Sequence, residues 1–257
     1  MGQASKKKLI VTVLVSLLSS FYFLPTARAD QVHEILENAR RKLESKSDQA
    51  HVVLRIIETD GEKKTLEMNI QTLISRGGFR AIVRMTAPAG DKGTALLTIV
   101  HGAKTKQWLY LPASNQIRRI AVANKSAGVL GSELSPEDLN PAAITGAKAK
   151  LISQNAKMAE VQITPSKGSS IYSKADIYFS LPSYLPEKTD YYIGKNLQKI
   201  VQFENYKVFL GHIYRACYIK IWNVVKKRGT NVRLSHVIVN GNLTRRDFTP
   251  DALKNVW

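Results

Sequence analysis

Apolar residues recur at every second position in run after run of this chain, and that rhythm constrains its fold more than any other feature. Val52, Leu54 and Ile56 alternate with His51, Val53 and Arg55. After Asp60-Gly61, a hairpin signal, Leu66, Met68 and Ile70 alternate with Glu67, Asn69 and Gln71. The pattern predicts further strands over 79–85, 94–101, 106–111 and 116–122, with breaks at Arg76-Gly77-Gly78, at 88–93, at Gly102 and at 112–115. It returns over 148–153, 159–164, 173–180, 187–193, 197–203, 215–225 and 231–239. Roughly a dozen consecutive strands with short connections imply one large antiparallel sheet, which must curl or close to manage its edges.

Helical spacing is confined to a few places. Val32, Ile35, Leu36, Ala39 and Leu43 follow the 3.6-residue period and mark an amphipathic helix. Ser135, Pro136, Glu137 and Asp138 place a cap, a first-turn proline and two acids where a helix would start, within a helical insertion over 125–144. Thr249-Pro250-Asp251 opens a last short helix. The expected class is α+β: a strongly curved antiparallel sheet, an incomplete β-barrel, whose helices cover the concave face. No linker divides two regimes of composition, so residues 30–257 are read as one domain.

The first 29 residues are read as a cleavable secretory signal. Lys6, Lys7 and Lys8 form its positive end, residues 9–24 are almost all apolar, and Ala27-Arg28-Ala29 supplies small residues for the peptidase. The whole chain has 257 residues and a formal charge of +18; the signal carries four of those charges and no acid, which leaves +14. An exported basic protein meets anionic headgroups far more than nucleic acid. The expected location is the periplasm, with an anionic membrane surface among the partners and nucleic acid excluded. Cys217 is the sole cysteine and lies in an apolar stretch, so it is read as a buried small hydrophobe.

Catalytic patterns are missing. The histidines at 33, 51, 101, 212 and 236 never take the spacing that places two imidazoles on one side of a helix or strand. Gly131-Ser132 lacks the second glycine of a nucleophile elbow, and Gly90-Asp91-Lys92-Gly93-Thr94 is too short for a phosphate loop and precedes a strand. Tyr172, Tyr178, Tyr184, Tyr191 and Tyr192, with Lys174 and Lys188, read as cross-strand aromatic pairing and not as a base-stacking surface. The chain is therefore expected to be no enzyme and to need no cofactor or metal.

Several motifs in order carry a resemblance. They are Pro88 with Lys92-Gly93-Thr94-Ala95-Leu96-Leu97, Trp108-Leu109-Tyr110-Leu111-Pro112-Ala113, Arg118-Arg119-Ile120, and the block from Gly131-Ser132-Glu133-Leu134 to Leu139. Tyr184-Leu185-Pro186, Gly194 and Asp247-Phe248-Thr249 follow. Together they resemble the LolA-like outer-membrane lipoprotein-sorting family, and within it the subgroup found beside RND-type lipid exporters. The family usually has Phe-x-Gly-Ser-Asp followed by an aromatic residue and Tyr-Glu-Asp, whereas this chain has Leu130 and Leu134 at apolar positions, Glu133 for Asp and Pro136 for Tyr.

The resemblance implies a carrier that shields the acyl chains of a lipid or lipoprotein inside an incomplete barrel, fed by an inner-membrane exporter of RND or ABC type. A sensor related to RseB, or an exporter scaffold that carries no lipid, are the alternatives. On the carrier reading, the cavity lining is assigned to Phe79, Ala81, Val83, Met85, Leu96, Trp108, Tyr110, Leu130 and Leu134. Arg76 falls near a family arginine that governs opening. Arg118, Arg119, Lys226, Lys227, Arg228, Arg245 and Arg246 are the expected headgroup or membrane contacts.

Overall fold

The computed structural model describes residues 24–75, 78–102, 104–121, 131–134, 147–166 and 170–255. Helix α1 (Leu24–Leu43) leads into strands β1 (Ser47–Ile57), β2 (Lys63–Ser75), β3 (Gly78–Ala87), β4 (Ala95–His101), β5 (Lys104–Leu111) and β6 (Gln116–Ile120). The second half supplies β7 (Lys148–Gln154), β8 (Met158–Thr164), β9 (Lys174–Ser180), β10 (Pro186–Ile193), β11 (Asn196–Phe209), β12 (Ile213–Asn223) and β13 (Arg228–Val239). All thirteen join one curved sheet in the order β6-β5-β4-β3-β2-β1-β13-β12-β11-β10-β9-β8-β7, antiparallel throughout. Each half is a meander, and pairing of β1 with β13 sews the halves together. The sheet does not close, and among the described residues β6 and β7 are its edge strands.

The paired registers define two faces. On the first, which we call inner, Leu109, Leu96, Val83 and Ile70 stand in one row across β5 to β2. A second row runs Leu66, Leu54, Val232, Ile219 and Phe203 from β2 to β11. A third runs Thr230, Ile221, Val201, Thr189, Ile177 and Val161 as far as β8. α1 lays Val32, Ile35 and Ala39 on Val161, Ile163, Ile177 and Phe179, which accounts for its apolar stripe. Lys42 Nζ donates to the Ser183 carbonyl at 2.8 Å and fixes the helix end against the β9–β10 turn.

The expectation that the helices share the concave face needs correction. The chain after β13 forms two 3-10 turns, Arg245–Asp247 and Asp251–Lys254, not an α-helix, and they pack on the outer face. There Phe248, Ala252 and Leu253 bury Leu73, Ile82, Ala95 and Leu97. Strand β3 is therefore covered on both sides, which explains why five consecutive residues, Ala81 to Met85, are all buried. Thr244 and Asp247 close the first turn with a reciprocal capping box. The expected helical insertion over 125–144 lies outside the described residues except for 131–134, of which 132–134 are not helical.

Cys217 is buried and its thiol is pushed up by desolvation. Ellman's reagent at pH 8 is therefore expected to label the native protein at least tenfold more slowly than the urea-unfolded chain. Equal rates would mean that β12 opens freely.

Candidate functional site

The inner face is the candidate site. Phe79, Ala81, Val83 and Met85 alternate along β3 and all point into it. Leu96 joins them, directly opposite Val83. Leu134 crosses from the β6–β7 connection and packs with Val52, Leu54, Met68, Val83, Val201 and Val232. The structure thus brings six of the assigned lining residues together.

Two are placed elsewhere. Trp108 pairs with Leu97 and Tyr110 with Ala95, so both rings lie on the outer face beside Phe248 and Leu253. The inner-facing residue of this stretch is Leu109. β5 carries apolar side chains on both sides of its alternation, so its period alone selects no face. Leu130 and Arg76 lie outside the described residues. The inner face also includes Leu54, Leu66, Met68, Val201, Phe203, Ile219 and Val232, which sequence patterns mark as strand residues but not as part of a site. Membership of Val201, Phe203, Ile219 and Val232 depends on the β1–β13 pairing, for which no local signal exists.

One end of the inner face is polar and tightly organised. Glu133 is 3 % exposed at its side chain, yet it meets Arg228 Nη1 at 3.2 Å and Asn223 Nδ2 at 2.6 Å. Its backbone N–H donates to Thr230 Oγ1 at 2.9 Å, and Thr230 is itself fully buried. Arg228 Nη2 also donates to Glu58 at 2.7 Å and to the Gly131 carbonyl at 3.0 Å. The segment 131–134 is therefore fastened across the sheet by charge and hydrogen bonds, with Leu134 as its apolar foot. The buried Lys199 sits nearby, its Nζ 4.7 Å from the Tyr191 ring centre and 5.2 Å from that of Tyr172.

The basic residues expected to contact headgroups do not form one patch. Arg118 and Arg119 are exposed on edge strand β6, and Arg245 and Arg246 are exposed in the 3-10 turn beyond the far end of β13. Lys226 and Lys227 are exposed in the β12–β13 turn. Arg228 is corrected to a structural role, because Glu58 and Glu133 occupy its guanidinium. The tyrosine cluster is divided too: Tyr172 and Tyr191 touch at 4.7 Å, whereas Lys188 covers Tyr178 and Lys174 covers Tyr192, each at 4.1 Å. Among the described residues no group of three or more His, Cys, Asp or Glu is placed to hold a metal ion. Recesses of about 500 and 350 Å³ lie beside the edge strands β7 and β6.

A family model described only as an uncharacterized protein matches residues 77–255. No curated protein matches the chain. Among solved structures, an outer membrane lipoprotein-sorting protein domain from Vibrio parahaemolyticus is 26% identical, with a TM-score of 0.77 over 88% of this chain and 100% of that one. A DUF1329 family protein from Desulfovibrio piger is 22% identical, with a TM-score of 0.76 over 89% of this chain and 98% of its own. A LolA superfamily protein from Nitrosomonas europaea is 20% identical, with a TM-score of 0.67 over 86% of this chain and 98% of its own.

Proposed function

Because this chain belongs to the LolA-like outer-membrane lipoprotein-sorting family, we propose that it is a periplasmic carrier that holds the acyl chains of a lipid or lipoprotein against its inner face. The observation that carries this reading is the apolar inner face itself, continuous from β5 to β8 across the pairing of the two halves. Exposing an acyl chain to water costs about 0.8 kcal/mol per methylene, so a carrier must offer a dry surface of this extent. Release demands that contacts over this face be undone without unfolding the sheet. The segment 131–134, fastened through Glu133 to Arg228 and Asn223, suits that need, since polar ties can be exchanged for water or headgroup contacts whereas a packed core cannot.

Delivery begins, on this reading, with an inner-membrane exporter of RND or ABC type and ends at the outer membrane. The expected signal at residues 1–29 brings the chain to the space between. Protein recovered from the periplasm without detergent is expected to yield stoichiometric lipid by mass spectrometry and to take up a fluorescent fatty-acyl probe. Protein that is lipid-free and takes up no probe sinks the carrier reading; if it then retains a cell-envelope partner, it is a scaffold.

A further inference from the structure

We infer that the β12–β13 turn, with the adjoining β10–β11 turn, is the surface by which the protein docks on an anionic lipid bilayer. This rests on the carrier reading and assigns the membrane contact to one end of the sheet. Three large apolar side chains are exposed there: Ile193 at 48%, Trp222 at 44% and Val225 at 63%. The β12–β13 turn is tied to the start of β11 by the Val224 N–H, which donates to the Gln198 carbonyl at 2.9 Å. Lys195, Lys226 and Lys227 are exposed beside them. Aromatic and aliphatic tips ringed by lysines match the interfacial region of a membrane, where the apolar groups enter the headgroup layer and the ammonium groups meet phosphate.

The surface is preformed. Trp222 lies over Gly229, where a Cβ would stand 3.4 Å from its Cε3, so the indole rests on β13 at van der Waals distance. Asn223 Oδ1 accepts from the Lys226 N–H at 2.9 Å, and the Lys226 carbonyl accepts from Thr59 Oγ1 at 3.2 Å. Lys227 is held at φ 53 in the left-handed region. Docking therefore orders little that is not already ordered. The neighbouring β1–β2 turn brings Asp60 and Glu62 together with Lys63 and Lys64, and Glu58 is occupied by Arg228, so the lysine excess is not cancelled. This is also the end at which the segment 131–134 is fastened, and Lys226 Nζ lies 3.8 Å from Glu133.

The β11–β12 hairpin at the opposite end exposes Val208 and Leu210 beside Lys207, while Arg215, opposite Lys207, is held by Asp48, and it serves as the comparison. Protein recovered from the periplasm is floated with vesicles of phosphatidylcholine containing 30% phosphatidylglycerol and with phosphatidylcholine alone. Binding is expected only to the anionic vesicles, and 0.5 M salt should weaken it. The variant Lys226→Gln/Lys227→Gln should bind about 25-fold more weakly, at about fivefold for each of the two lysines near an anionic surface. Val225→Asp should lose binding similarly, and Leu210→Asp should bind as the parent does. Undiminished binding by the first two variants, equal loss in Leu210→Asp, or no binding by the parent each overturn the inference. Lipid measured on the same preparations separates the two readings: retained lipid without vesicle binding rejects the docking surface alone, and vesicle binding by lipid-free protein that takes up no probe rejects the carrier alone.

Discussion

Arg228→Ala is expected to lower the unfolding free energy by about 3 kcal/mol and to free residues 131–134 from the sheet. The cause is the carboxylate that stays buried without its cation. Glu133 is buried at 3 % side-chain exposure, and removing the cation from a buried pair leaves an uncompensated charge at a cost of about 3–5 kcal/mol. Asn223 still donates at 2.6 Å and Lys226 stands 3.8 Å away, so the lower end of that range applies. Glu133→Gln should cost less, about 1 kcal/mol, because it neutralises the stranded group while Glu58 keeps Arg228 paired. Urea unfolding midpoints measure the loss of stability in both variants, and limited proteolysis near 131–134 reads the release of that segment. A loss below about 1 kcal/mol for Arg228→Ala would show that Glu133 is hydrated when its partner is gone.

Phe248→Ala is expected to destabilise the protein by about 3–5 kcal/mol, the range for truncating a fully buried aromatic side chain. Phe248 is 1% exposed and packs with Leu253 and Ala252 over Ile82, Ala95 and Leu97. The segment that carries it forms only two single turns, so it has little helical stability of its own and is held by packing. Arg84 adds a buried bond from Nη2 to the Leu253 carbonyl at 2.8 Å; burial lowers the pKa of its guanidinium, which nonetheless stays charged. Because this cluster is on the outer face, lipid bound per folded molecule should not change in Phe248→Ala. A parallel loss of lipid would mean that the two faces of β3 are coupled through the strand. The denaturation midpoint and the lipid-to-protein ratio are measured on the same sample.

Strand β1 and strand β5 show where sequence reading succeeds and where it stops. In β1 Val52, Leu54 and Ile56 are buried, and the outward positions hold His51, Val53 and Arg55. The sequence therefore identifies both the strand and its buried side. In β5 the run Trp108-Leu109-Tyr110-Leu111 is apolar on both sides, and the larger aromatic rings draw the assignment to the site although Leu109 faces it. The Gly131-Ser132-Glu133-Leu134 block is legible as a family feature, but its role comes from Asn223, Arg228 and Thr230, some 90 residues further along the chain.

The sequence by itself determined the meandering antiparallel sheet, the apolar stripe of α1 and the burial of Cys217, because each depends on periodicity or composition within a short window. Tertiary structure alone decided that β13 pairs with β1, that the C-terminal turns cover the outer face, and that Arg228 serves Glu133 rather than solvent. Those outcomes depend on partners far apart in the chain. Where a strand is apolar on both sides, only the element that arrives on each face decides which side becomes the site.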